Sequence, residues 1–300
     1  MKINKLSPVV LFVYNRLWHT QKTIKALQKN KLASESELII FCDGPKDESD
    51  FPLVLEVRAY IEKIIGFKKV SIIKRSENWG LANSIIDGVT QTINKYGRVI
   101  VLEDDLITSD NFLCFMNRAL NFYKSQGEIF SVTGYTGDIG VEKYLKHDVY
   151  ASYRPSSWGW GTWKHQWNDI DWNVNDYNLF IKDKSKVKDF NRGGCDMARM
   201  LKHQQEGRNN SWAIRWSYSM YKKKKYAIYP VLSKVQNIGF GEEATHCTGV
   251  NIYKTKLDDS HNCNFNFDSD ISINEQVCAD FKYQFSYTNK ILKRLRGYFL

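Results

Sequence analysis

No run of apolar residues approaches the ~20 needed to cross a bilayer, and the six cysteines (Cys42, Cys114, Cys195, Cys247, Cys263 and Cys278) form no C-x-x-C pair and no metal-ligand spacing. Scattered single cysteines exclude a zinc-ribbon or disulfide-scaffold reading and fit a reduced, cytoplasmic protein. The first residues lack the long apolar core of a signal peptide, since Pro8 to Tyr14 is only strand-length. There is no internal repeat and no low-complexity linker, which excludes a solenoid or a string of tethered modules. Lysines and arginines are spread among acids rather than gathered into a stripe, so nucleic acid is not the expected partner. The net charge of +10 still favours anionic partners, namely nucleotide phosphates or an anionic membrane face.

What is present is a chain of 300 residues, long enough for one large domain or two small ones, with a 43% hydrophobic share that can fill a sizeable core. The aromatic share is 14%, and aromatic faces suit sugar rings and nucleobases as well as cores. The chain is organised around Arg98 to Leu106. Here four apolar residues, Val99 to Leu102, meet three consecutive acids, Glu103, Asp104 and Asp105. The short β-branched run predicts a buried central strand, and the acids fall where it leaves the sheet. Ligands of open α/β sheets collect beyond the carboxyl ends of strands. Three adjacent carboxylates repel unless a cation or hydrogen bonds relieve them. Hard oxygen ligands suit Mg²⁺ or Mn²⁺ carrying substrate phosphates. For the triplet alone the alternatives are a solvated acidic turn, a helix N-cap with Asp110 downstream, or a phospho-acceptor pocket on a receiver-like fold.

The preceding segments narrow the choice. Pro8–Tyr14, Leu38–Phe41 and Lys69–Ile73 read as strands, and Thr20–Lys29, Leu53–Ile65 and Leu81–Tyr96 as helices. This alternation predicts a parallel sheet with right-handed crossovers. Three strand exits then bring polar residues to one edge: Asn15-Arg16, Asp43-Gly44 and the acidic triplet. After a helix over Asn111–Tyr123 and a strand near Phe130–Gly134 the alternation becomes irregular. Ser156 to Trp163 packs Trp158, Trp160 and Trp163 with two glycines, as either a ligand-approaching loop or a tight aromatic core loop. A Gly-rich stretch, Asn237 to Gly241, leads to His246, and from about Lys254 the chain turns polar. Lys290 to Leu300 is basic and apolar together, suited to an anionic membrane surface or to covering a groove of the core.

Pro8–Arg16, Phe41–Gly44, Arg75–Asn83 and Val99–Leu106 together resemble the nucleotide-sugar half of a GT-A-fold glycosyltransferase. With the later Trp-Gly-Trp-Gly-Thr-Trp and Asn-Ile-Gly-Phe…Thr-His-Cys blocks, the pattern looks most like the bacterial family 2 type and is similar to the N-acetylglucosaminyltransferase I group. The resemblance covers about residues 6–255. It implies an α/β, Rossmann-like and mostly parallel central sheet flanked by helices. It divides residues 1–255 into a nucleotide-sugar half (about 1–135) and an irregular acceptor half (about 136–255). Residues 256–300 read from composition as a C-terminal extension whose basic end could associate with a membrane.

By position, the resemblance implies that Tyr14, Asn15, Arg16, Asp43, Gly44, Asn78 and Asn83 face the nucleotide. It has Glu103 and Asp104 touch ribose and donor sugar, and Asp105 hold Mn²⁺ or Mg²⁺ with His246 nearby. Trp158, Trp160, Trp163 and Trp212 would line the acceptor cleft. Inverting relatives carry a carboxylate base just after the Trp212 position, where this chain has Ala213 and Ile214. The base would then come from Glu206, Asp196, Glu242 or Glu243. A retaining mechanism, lost catalysis, or an offset of a few residues between this chain and its relatives would account for the gap as well. Lys74 or Arg75 would add to the field on the diphosphate. The implied activity is transfer from a nucleotide-diphosphate sugar, a UDP-sugar first, to a glycan or lipid-linked acceptor in bacterial surface polysaccharide synthesis, at the cytoplasmic membrane face. A nucleotidyltransferase and a non-catalytic glycan-binding protein are the rival classes.

Overall fold

Five consecutive apolar residues form strand β1 (Val9–Val13), and every one of them is buried. A strand covered on both faces has no need of polar alternation. In the computed structural model, which describes residues 5–240, 253–286, 288, 289, 291 and 292, β1 pairs in parallel with β2 (Glu37–Cys42) on one side and β4 (Arg98–Glu103) on the other. Strand β3 (Lys69–Lys74) extends the sheet beyond β2, also in parallel. The crossovers are α1 (Leu17–Gln28), α2 (Phe51–Ile61) and α3 (Gly80–Tyr96). Helix α1 starts earlier than the sequence pattern suggests, directly after Arg16, so only three residues separate it from β1.

Beyond β4, β5 (Leu106–Thr108), α4 (Phe112–Phe122), β6 (Ile129–Thr133), β7 (Val149–Ser152) and β8 (Trp160–Trp163) follow. Then come helices α5 (Lys164–Trp167), α6 (Tyr177–Phe180), α7 (Lys184–Phe190), α8 (Met197–Gln205) and α9 (Trp212–Lys222), strands β9 (Tyr226–Pro230) and β10 (Val235–Asn237), and α10 (Glu275–Gln284). The main sheet among the described residues has eight strands in the order β3-β2-β1-β4-β8-β6-β9-β7. It is mostly parallel, with β8 and β7 the reversed strands. Helices cover both faces, giving the α/β architecture expected. No helix among the described residues is long and apolar enough to cross a membrane.

The Trp-Gly block differs from the ligand-lining loop considered above. Trp160–Trp163 is a strand, inserted antiparallel between β4 and β6 in the middle of the sheet. The indole of Trp160 is wholly buried against Trp167, Trp212 and Trp216, with ring centroids 5.6, 5.2 and 4.4 Å away. Trp163 and Trp212 are also buried. These three side chains therefore build the core and present no face to an acceptor, which corrects their assignment to the cleft. Gly161 hides the strand from sequence reading, because an unbroken apolar run is missing there. A Cβ at this position would lie 2.8 Å from the carbonyl oxygen of Val99 on the neighbouring strand.

The C-terminal part also differs from the extension expected over 256–300. Residues 253–286 return across the body. Phe265 and Phe267 pack on Phe115, and Val277 and Phe281 of α10 join the core beside Tyr150 and Tyr229. Cys263 forms a disulfide with Cys114 of α4, correcting the expectation of unpaired cysteines. Residues 290 and 293–300, most of the basic stretch, lie outside the described residues.

A buried ion pair fixes this return. Lys234, next to β10, donates to Asp258, and both are almost fully buried. Burial works against the Asp258 charge. Hydrogen bonds from Lys234, Asn111 and Ser260 outweigh it and hold its pKa at about 2. A carboxyl depressed from an unfolded value of about 3.9 stabilises the fold above that pH and loses the contribution as pH falls toward 2. Replacing Asp258 by Asn leaves Lys234 buried without its counter-charge, which should cost about 3–5 kcal/mol in urea unfolding at pH 7. A loss under about 1 kcal/mol would show that the pair does not anchor the segment.

Candidate functional site

The carboxyl ends of β1, β2 and β4 open on one edge, and the triplet sits at the centre. Arg16, the residue that precedes α1, lays its guanidinium over the acids: Nη1 is 3.1 Å from Asp105 Oδ2 and 3.7 Å from Asp104 Oδ1. The small antiparallel sheet of β5 and β10 carries the following loop onto the same spot. The backbone N–H of Ile238 donates to the carbonyl of Asp105 at 2.9 Å, and Asn237 Nδ2 donates to Asp105 Oδ1 at 3.5 Å. Gly239 closes over the carboxylate so tightly that a Cβ there would overlap Asp105 Oδ2. A larger residue there would have to displace the Asp105 carboxylate.

One guanidinium faces three carboxyls. Burial pushes Glu103 well above the usual carboxylate range, the Asp105 and Asp104 charges push it further, and Arg16 opposes them. Asp104 is raised to about 7, by burial first and the Asp105 charge second, again against Arg16. Crowding and burial thus favour the protonated forms of Glu103 and Asp104. Among the described residues no three Asp, Glu, His or Cys side chains converge to hold a metal by themselves. A divalent ion here would need further oxygens from a bound phosphate or from water. His246 lies outside the described residues, as do Glu242 and Glu243.

The other expected nucleotide contacts are held by partners of their own. Tyr14 OH donates to Asp50, Asn15 Nδ2 donates to Asp50 Oδ1 at 2.8 Å, and the N–H of Lys46 donates to Tyr14 OH at 3.1 Å. Burial and the Asp50 carboxylate raise the Tyr14 phenol. Asp43 accepts from the N–H groups of Gly44, Trp79 and Gly80 at 3.0–3.2 Å. Its carboxylate thereby fastens the loop between β3 and α3, and Asn78 Nδ2 completes the clasp by donating to the Gly44 carbonyl at 3.0 Å. Asn83, exposed on α3, donates to the Trp79 carbonyl.

The clasp presents Trp79, whose indole lies 3.7 Å from the Arg75 guanidinium and remains 42% exposed. Arg75 itself pairs with Asp87 at 2.9 Å, and Lys74 pairs with Glu62. These two cations face α3 and α2, which corrects the expectation that they add to the field at the acids. Sequence reading missed Asp50, Trp79 and Asp87. Only an exposed Trp beside an Asn in a polar loop offered any signal.

Trp158 is half-buried, with Tyr135, Phe240 and Tyr253 around it at 4.6–6.0 Å. Phe240 directly follows Gly239, so this aromatic group adjoins Asp105. Tyr253 leads to Phe285 (6.3 Å), which lies under the Arg154 guanidinium (4.0 Å), and Arg154 Nη1 donates to Asp196 Oδ1 at 2.7 Å. Asp196 is buried immediately before α8. The first turn of α9 holds no acid, and Ile214 is buried there. Glu206 pairs with Arg208 and Lys202 at the end of α8, and no contact joins it to the triplet.

The raised Asp104 has a measurable consequence. Its folded pKa of about 7 exceeds the unfolded ~3.9, so the folded state holds the extra proton between these values and stability falls as pH rises through that window. Asp104→Asn removes this dependence. In metal-free buffer its Tm should exceed that of the parent by about 2–4 °C at about pH 8 and match it at about pH 4. An equal or lower Tm at the higher pH would contradict the crowding of charge.

No curated protein matches the chain by sequence. Among solved structures it is similar to the mannosyltransferase PcManGT of Pyrobaculum calidifontis, solved in complex with GDP-Man and Mn²⁺, at 9% identity and TM-score 0.41 over 74% of this chain and 70% of that one. It is also similar to S. aureus TarS at 10% identity and TM-score 0.44, over 78% of this chain and 37% of TarS, and to a TarS fragment covering residues 1–349 at 9% and 0.41, over 76% and 59%. Residues 9–185, more than half of the chain, match the family described as glycosyl transferase family 2, and the chain belongs to that family.

Proposed function

We propose that this glycosyltransferase moves a hexosyl or N-acetylhexosaminyl unit from a nucleotide-diphosphate sugar, a UDP-sugar in our reading, to a glycan or lipid-linked acceptor of a bacterial surface polysaccharide. The observation that carries the proposal is the crowded acidic triplet at the β4 exit, with Arg16 and Asn237 beside Asp105. A divalent cation held at Asp105 would neutralise the departing diphosphate as a Lewis acid. Arg16 is placed to turn from Asp105 toward that same charge. Trp79 offers its free face to the nucleobase, with Asp43 and Asn78 fixing the loop that carries it. Trp158 and its aromatic neighbours offer a face to the acceptor sugar.

Asp196 is our candidate for the base. It is buried immediately before α8, and the Arg154 guanidinium holds one of its oxygens at 2.7 Å. So oriented, it would take the proton of an acceptor hydroxyl. A nucleotidyltransferase is disfavoured because β1 ends at Val13 and α1 begins at Leu17, leaving no room for a Gly-rich phosphate loop. Peripheral attachment to the inner membrane face fits the basic C-terminal stretch.

The test is a thermal-shift panel of UDP, GDP, CDP and dTDP, each with Mn²⁺, Mg²⁺ or EDTA. One diphosphate, UDP on this reading, should stabilise only with metal, by about 2.7 kcal/mol at a hundredfold excess over Kd. No shift with any nucleotide would overturn the donor assignment. Asp196→Asn should keep that shift and lower kcat about 10²–10⁴-fold; undiminished turnover would remove Asp196 from the chemistry.

A further inference from the structure

A cavity of about 460 Å³ lies between α7 and α10, away from the acidic triplet. Its volume falls within the range of small-molecule sites, about 300–1,000 Å³. Three lysines, Lys184, Lys188 and Lys282, stand around it, and none has an acidic partner among the described residues. The nearby acids are engaged elsewhere: Asp183 with Lys186 and the first N–H groups of α7, and Asp189 and Glu275 with Arg192. Asn191 lines the same cavity. Its Oδ1 accepts from the Ala198 N–H at 2.9 Å, which leaves its NH₂ group as a further donor. Ile181 and Val187 add an apolar wall.

The last wall is Cys195, the residue before the proposed base. Its Sγ reaches the carbonyl of Phe285, whose ring carries Arg154, the partner of Asp196. The cavity and Asp196 thus share one wall. We propose that this cavity seats a phosphate or diphosphate ester carried by the acceptor, with the alkyl portion of that ester against Ile181 and Val187. This rests on the reading of Asp196 as the acceptor-side base. Three lysines and an asparagine on its rim would supply point donors to a multiply charged phosphate. No arginine lines the cavity, so the charge facing a phosphate would come from lysine ammonium groups, which act as point charges.

The probes are geranyl diphosphate and inorganic pyrophosphate, titrated calorimetrically into the full chain in EDTA without nucleotide, so that the outcome is independent of the donor site. Geranyl diphosphate should bind more tightly than pyrophosphate. Lys184→Ala/Lys188→Ala and Lys282→Ala should each weaken it tenfold or more, while Asp105→Asn leaves it unchanged. The lysines are exposed, and unchanged unfolding curves would confirm intact folds. No binding, or equal binding by the parent and the lysine variants, overturns the proposal. Lysine-dependent binding to phosphatidylglycerol vesicles without binding of either soluble diphosphate would assign the lysines to a membrane surface and overturn the acceptor assignment. The donor reading has its own test in the metal-dependent nucleotide shift, so failure of one is distinguishable from failure of the other.

Discussion

Three carboxyl groups in sequence at the tip of a buried strand, with a single guanidinium to face them, set the terms for the rest of this molecule. Glu103, Asp104 and Asp105 cannot all be ionised at neutral pH in so enclosed a place. The fold supplies partial relief from Arg16, from Asn237 and from the N–H of Ile238, each delivered by a different residue of the surrounding loops. What remains is a site poised for more positive charge. On the proposed reading, a divalent cation carrying a diphosphate would supply it.

Much of the architecture serves to hold this arrangement. The two-stranded sheet of β5 and β10 brings residues 237–239 over Asp105, and β10 is pinned through Lys234 and Asp258 to the returning C-terminal segment. That segment is bound in turn to α4 by the Cys114–Cys263 disulfide and by phenylalanine packing. Its far end, at Phe285, supports Arg154 and so Asp196. Residues far from the acids in sequence therefore join the acidic triplet to the Arg154–Asp196 pair through one continuous set of contacts.

The sequence alone conveyed the parallel half of the sheet, because Val9–Val13 and Val99–Leu102 are uninterrupted apolar runs with polar exits. It conveyed the triplet for the same reason: local pattern and function coincide there. The Trp-Gly block reads equally as a ligand-facing loop or as aromatic core, and the core reading holds: the close approach of Val99 restricts position 161 and the core takes the indole of Trp160. Asp50, Asp87 and the Lys234–Asp258 pair were illegible because each acts on a residue 12 to 36 positions away. No spacing rule links such partners before the fold is known. The disulfide spans 149 positions and is hidden for the same cause.

The central claim is that Asp105 binds a divalent cation jointly with a nucleoside diphosphate. The most direct measurement is an electron paramagnetic resonance titration of Mn²⁺, following loss of the free-ion signal with and without UDP. The account predicts tight binding only when protein and UDP are both present, weakened at least tenfold in Asp105→Ala with the fold intact. Equal Mn²⁺ affinity in parent and variant, or no UDP-dependent binding at all, would contradict it.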